Sequence, residues 1–289
     1  MIHDQVNAPP RPAVAQGVRC RLALTTALLS MGVFGYGGRA AYAGSCTVAG
    51  GGFTCSGPGT GGDVTQSLTG TPLTVTVDPG FGINVSSGNA FTLSGYGGLS
   101  FTDNHGAGIT GGAAGITARN SGSGALSVTA TGAVSTSFDR GTGIYARNDS
   151  SGTDLTIAVA YVDGGFSGID ATNSGSGALS VTATGRVIGA NEYGIYARNN
   201  SSGTDLTISA ADVIGDDYGI VARNSGSGAL SVTATGEVIG AREDGIYARN
   251  DSSGTDLTIA AADVTGRYDG IYAVNSGSGA LSVTATGAV

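Results

Sequence analysis

Residues 194–218 read GIYARNNSSGTDLTISAADVIGDDY, and nearly the same words return as GIYARNDSSGTDLTIAVAYVDGGFS from Gly143 and GIYARNDSSGTDLTIAAADVTGRYD from Gly245. These copies lie 51 residues apart. A related unit sits between them, GIDATNSGSGALSVTATGRVIGANEY from Gly168, GIVARNSGSGALSVTATGEVIGARED from Gly219 and GIYAVNSGSGALSVTATGAV from Gly270, so a GI start recurs every 25 or 26 residues. A unit this short cannot bury its apolar face alone. Self-similarity at such a period marks a solenoid whose coils stack on one another.

Within each unit the apolar residues alternate with polar ones, Leu206 and Ile208 against Thr207 and Ser209, Leu230 and Val232 against Ser231 and Thr233. Period-two alternation predicts strands with one buried face. In GIYARN the same rule turns Ile195 and Ala197 inward and Tyr196 and Arg198 outward. A third apolar point, Val213 with Ile214 or Val238 with Ile239, precedes a charged corner. No helix is expected, because Gly, Ser, Thr and Asn break every candidate window. The expected fold is all-β, a parallel β-helix (β-solenoid) with coils of about 25 residues in a 51-residue double repeat. Each coil holds three short strands, and about ten coils at roughly 4.8 Å spacing give a rod of about 50 Å. Asn148, Asn173, Asn199, Asn224, Asn250 and Asn275 recur once per coil. They are expected to form a structural turn ladder, because Asn tolerates left-handed backbone, bonds its own turn, and can bond its copy in the next coil.

Composition narrows the functional classes. The chain has 289 residues with 53 Gly, no Trp and 12% charge, yet its apolar positions are regular, which a disordered Gly/Ser linker would lack. Residues 1–43 read as a signal peptide: Arg19 and Arg21 lead into a 15-residue apolar run from Leu22 to Tyr36, and AYA ends at Ala43. A membrane anchor is the competing reading, but that run falls short of the roughly 20 residues a spanning helix needs. All 13 basic residues are Arg, and after Ala43 nine Arg face 20 acids, a net charge of −11. That sign repels phosphate, so no nucleic-acid partner is expected, and anionic lipid is disfavoured.

Residues 44–114 read as an N-terminal cap with irregular coils and residues 115–289 as regular coils. The pattern stops at Val289 in mid-unit, so further coils or another domain are expected beyond it. In an exported chain Cys46 and Cys55, nine apart, suggest a disulfide within the cap. A lipidated Cys46 is the alternative, without the apolar residue usual at the start of that motif.

An export signal, a small cysteine loop and Gly/Ser/Thr/Asn-rich β-solenoid coils of about 25 residues resemble the passenger domain of a Gram-negative autotransporter. The resemblance covers nearly the whole chain and rests on architecture and composition. It implies a right-handed parallel β-helix carried to the cell surface by a C-terminal outer-membrane barrel, and serving adhesion, aggregation or biofilm. No such barrel is present in these residues, so the outer membrane would be reached only through a missing C-terminal segment. Exoproteins secreted through a separate barrel partner share the same appearance. The expected location is the cell surface or outer membrane, or the medium. The partners implied are glycans or proteins of a host or neighbouring cell, or another copy of the chain.

The sharpest candidate for binding is the outward side of the GIYARN strand, where Tyr145, Arg147, Tyr196, Arg198, Tyr247, Arg249 and Tyr272 line up with Arg119 and Arg223. Tyr faces and Arg donors suit sugars and extended peptides. Asp170 and Val221 interrupt the Tyr row, and Thr172 and Val274 the Arg row. The plainer explanation is a ladder of like residues that stabilises the rod. No cofactor, metal or catalytic residue is expected. His105 beside Asp103 and Asn104 reads as a polar turn. β-Helix polysaccharide lyases or hydrolases are the enzymatic competitor, with Asp212, Asp216, Asp217 and Arg223 the residues to consider. However, Asp263, Arg267, Asp269 and Arg242, Glu243, Asp244 repeat that theme, so the acidic corners read as solubility devices. Calcium would suit stacked acids, but neither the GGxGxDxUx nonapeptide nor an EF-hand loop is present.

Overall fold

The computed structural model describes residues 44–289, and the signal peptide expected over residues 1–43 lies outside them. The described residues form 26 strands and no helix. One sheet has nine strands, from Gln66–Gly70 through Asn89–Gly95, Ala114–Asn120, Thr142–Asn148, Ile169–Asn173, Ile195–Asn199, Ile220–Asn224 and Ile246–Asn250 to Ile271–Asn275. The other, of 17 strands, gathers the Leu-led strands, the short Val-led strands and an N-terminal hairpin. Apart from that hairpin every pairing is parallel and joins equivalent residues of successive coils. Ile195 faces Ile220, which faces Ile246, and Leu206 faces Leu230, which faces Leu257. The described residues form a β-solenoid of about nine turns.

About ten coils are expected from the sequence, and the N-terminal end of the stack is a hairpin over residues 45–56. Ser45–Ala49 and Gly52–Ser56 pair antiparallel with Cys46 opposite Cys55, and the two sulfurs are bonded. The hairpin loop, Gly50 and Gly51, has positive φ at both residues, 58° and 87°. A two-residue turn that matches strand twist requires this, and side chains resist it. Gly52–Ser56 then lies parallel to Leu73–Val77, and so covers a strand edge that would otherwise expose unpaired backbone.

Stacking is already regular upstream, where the sequence repeat fades. Gln66, Phe91, Ile116 and Ile144 are successive partners on one row. Rings fill the core there, with Phe91 6.0 Å from Phe81 and 5.0 Å from Phe101. Downstream the filling is aliphatic, and Leu206, Ile208, Val213 and Ile220 have no exposed surface. Each such burial contributes about 1.5–3 kcal/mol, and each needs the neighbouring coil as its lid. Leu126–Thr136 and Leu155–Gly164 run unbroken around the bend. Later coils divide it, as in Leu206–Ala210 and Val213–Gly215.

The corners depart from expectation in one respect. Among the described residues no non-glycine has a positive φ, so the ladder asparagines do not hold their turns through left-handed backbone. Their side chains hold them instead.

Candidate functional site

The asparagines occupy the interior. Asn148, Asn173, Asn199, Asn224 and Asn250 are buried, and the Nδ2 of each donates to the Oδ1 of the next, with Asn275 as the last acceptor, at 3.0–3.2 Å. Asn120 adds a rung upstream, donating to Asn148 at 2.9 Å. The ARN at residues 118–120 is the signal that reveals it in the sequence. Asn199 Nδ2 also donates to the carbonyls of Thr204 and Asp205, both at 3.1 Å, which ties the corner to its own strand. Gly203 is demanded by this arrangement, since a Cβ there would run into the Asn199 amide. A buried, fully bonded ladder carries stability and offers nothing to a ligand.

The tyrosine and arginine side chains project from the other side of the same strands. Tyr145, Tyr196 and Tyr247 are half-buried, Tyr272 is exposed, and Arg147, Arg198, Arg223 and Arg249 are exposed. Pairing brings Tyr145 against Asp170, Asp170 against Tyr196, Tyr196 against Val221 and Val221 against Tyr247. The break at Val221 is bridged by two rings that the sequence reading did not single out. Tyr193 lies 5.2 Å from Tyr196 and 5.9 Å from Tyr218, and Tyr218 lies 6.1 Å from Tyr247. Tyr247 stacks on Tyr272 at 5.2 Å with the planes 9° apart. The stripe is thus a continuous run of five rings from Tyr196 to Tyr272, with Tyr145 apart under the Arg147 guanidinium at 5.6 Å. Both added tyrosines immediately precede a GI start, at Gly194 and Gly219, which is the signal available in the sequence.

This stacking changes what the face can do. Tyr247 has Tyr272 of the following coil on it, and Arg223 of the preceding coil lies over its ring at 5.1 Å. Its faces are engaged within the rod, so guanidinium groups, ring edges and hydroxyls are what it turns to solvent.

Two shallow depressions lie along the stripe and share Arg198. The first, about 410 Å³, is lined by Arg147, Asp170, Glu192, Tyr193 and Tyr196 among others. Burial pushes the Asp170 carboxyl up to about 6, with Arg147 opposing and Glu192 reinforcing the shift. Burial also raises Glu192, against the hydrogen bond it accepts from Ser167 at 3.0 Å. The second depression, about 290 Å³, is lined by Arg198, Arg223, Ser225, Tyr247, Arg249 and Asp251. Asp251 accepts from the Ser225 hydroxyl at 2.7 Å and from Arg249 Nε at 2.8 Å, and these bonds hold its carboxyl below the usual range. Arg119 pairs with Asp149 at 2.8 Å. Arg147, Arg198 and Arg223 form no ion pair among the described residues.

The remaining sequence candidates are occupied in holding the chain. Asp103 is buried and accepts from the backbone N–H groups of His105, Ala107 and Gly132 at 2.9, 3.0 and 3.2 Å, while His105 is exposed. Asp212 and Asp263 each accept a backbone N–H one coil on, from Glu237 at 3.0 Å and Ala288 at 2.9 Å. Asp244 accepts from Asp269 N–H at 3.1 Å, and Asp216 pairs with Arg242 at 3.0 Å. The acidic corners are therefore more than solubility devices, because they bridge coils. Asp154, Asp205 and Asp256 do the same for Ala178, Ala229 and Ala280 at 2.7–2.8 Å. Among the described residues no group of three or more His, Cys, Asp or Glu is arranged to hold a metal. No family model, curated protein or solved structure matches the chain.

Proposed function

We propose that this protein is the exported, surface-displayed passenger of an autotransporter and acts as an adhesin, an aggregation factor or a repetitive spacer. The observation that carries the reading is the recurrence of outward Tyr and Arg in register on successive parallel strands, Tyr145, Tyr196, Tyr247 and Tyr272 on one row and Arg119, Arg147, Arg198, Arg223 and Arg249 on the next. The Cys46–Cys55 bond agrees with an oxidising, extracytoplasmic compartment. Many weak contacts along one rod gain avidity without any single strong site, and a rod also sets reach. A version lacking residues 143–193, one 51-residue unit, should fold and lose adhesion to cells or surfaces gradually. Complete loss of adhesion from that single deletion, with the fold intact, would defeat the reading. Secretion through a separate barrel partner would leave these expectations unchanged.

A second reading, a β-helix polysaccharide lyase or hydrolase, has one observation in its favour. Asp170 and Glu192 share a depression, both carboxyls are raised, and Asp170 replaces the Tyr of the neighbouring coils, so the pair occurs once along the rod. Reducing-end release from acidic and neutral polysaccharides, abolished by Asp170→Asn, would establish it, and no release from any of them would remove it.

A further inference from the structure

Resting on the adhesin reading, the inference concerns what the second depression recognises. Arg198, Arg223 and Arg249 are direct partners in successive parallel strands, so their side chains leave the sheet at strand spacing, about 4.8 Å apart. Like charges placed directly opposite one another destabilise a sheet. One carboxylate, Asp251, lies among them, and it is already bonded to Arg249 and Ser225. The fold does not require arginine on this row, because Thr172 and Val274 occupy it in other coils with the same register. Three guanidinium groups against one carboxylate make a local positive site on a chain whose residues after Ala43 carry −11.

We propose that this depression binds the acidic group of a glycan, a carboxylate held by the guanidinium groups of Arg198 and Arg223. A guanidinium presents donors in a planar fork that fits a carboxylate, and such charge-assisted bonds are the strong ones. Arg223 lies over the Tyr247 ring at 5.1 Å and forms no ion pair among the described residues, so its N–H groups are open to an anion. The surroundings suit a polyhydroxylated ligand. A hydroxyl-lined depression of about 410 Å³ adjoins across Arg249 and Asp251, with Ser201, Ser252, Ser253 and Ser276 on its walls. The negative charge of the rest of the rod disfavours a dense polyanion. The ligand is therefore a chain with isolated acidic sugars.

The test uses the full exported chain and calorimetric titration with a galacturonate oligosaccharide, its methyl ester, a neutral galactose oligosaccharide, a heparin fragment and single-stranded DNA. The acid is expected to bind, and the ester and the neutral sugar at least ~tenfold more weakly. R198Q/R223Q should reduce acid binding by at least ~tenfold. The same change made at Arg242, which pairs with Asp216 at a corner, should leave binding unchanged. Free of ligand, R198Q/R223Q should melt at or above the parent temperature, because repulsion is relieved. Equal binding of acid and ester, or full binding by R198Q/R223Q, would overturn the proposal. Preference for heparin or DNA over the acid would overturn its glycan-carboxylate assignment. Cell adhesion of rods carrying R198Q/R223Q separates the two readings. Undiminished adhesion with no acid binding in the parent defeats this inference alone, whereas acid binding by a rod that does not adhere defeats the adhesin reading alone.

Discussion

Asn199 donates from Nδ2 to Oδ1 of Asn224, 3.2 Å away and 25 residues along the chain, with both side chains fully buried. The amide is acceptor to one coil and donor to the next, since Asn173 donates to it at 3.1 Å. Removing it strands buried polar groups, each costing about 1–3 kcal/mol. Asn199→Ala should therefore lower stability by roughly 2–4 kcal/mol, and Asn199→Asp by more, because a carboxylate has no donor for the Thr204 and Asp205 carbonyls. The same change at Asn275, which is only partly buried, should cost less. Urea unfolding of the three variants checks the order, and an equal effect at Asn275 and Asn199 would count against the ladder as the cause.

Gly203 makes the ladder sensitive to a single methyl. A Cβ there would meet the side chain of Asn199, and Gly152 and Gly254 stand in the same relation to Asn148 and Asn250. Gly203→Ala should cost about 1–3 kcal/mol through overpacking, although Ala lowers the entropy of the unfolded chain. Gly62, where an added Cβ would meet nothing, provides the comparison and should tolerate Ala within ~0.5 kcal/mol.

The disulfide acts locally. Cys46 and Cys55, nine apart in sequence, close a hairpin that covers the first coil, with Phe53 opposite Val75. Cys46→Ser/Cys55→Ser should cost at most about 2–3 kcal/mol on the loop-closure estimate. In hydrogen exchange, amides of Leu73–Val77 should lose protection first, while those of Leu206–Ala210 keep theirs. Uniform loss of protection along the rod would show that the hairpin controls the whole solenoid.

The parts of this structure that could be read from the sequence are those that repeat. Leu206, Ile208, Ile195 and Ala197 declare their inward side by alternation, and the copies declare which residue each will face in the next coil. What could not be read depends on contacts across a coil. Asp212 looks like any surface acid until its acceptor role toward Glu237 N–H, 25 residues on, is seen. Tyr193 and Tyr218 sit on corners, where alternation gives no direction, and their place in the aromatic run emerges from the packing of three successive coils. The left-handed corners expected of Asn failed for a related reason. A side chain that can reach the next coil's amide no longer has to bend its own backbone.

Asp170 makes stability depend on pH in a definite direction. Its carboxyl is raised from 3.8 to about 6 by burial, against the pull of Arg147. A group with a raised folded pKa favours the folded state while protonated, so its contribution is complete below the unfolded value and is lost as pH rises through about 6. Two pKa units correspond to about 3 kcal/mol. Partial exposure of the side chain reduces the expected effect to about 1–2 kcal/mol. Asp170→Asn stays neutral throughout, so it should match the parent at about pH 4 and be the more stable protein at about pH 7.5. Asp251, whose carboxyl is lowered, loses stability toward acid instead, but it is common to both proteins and cancels in the difference. Thermal unfolding of the pair at the two pH values decides the matter, and a difference of equal size at both would show that the substitution acts through packing and not through titration.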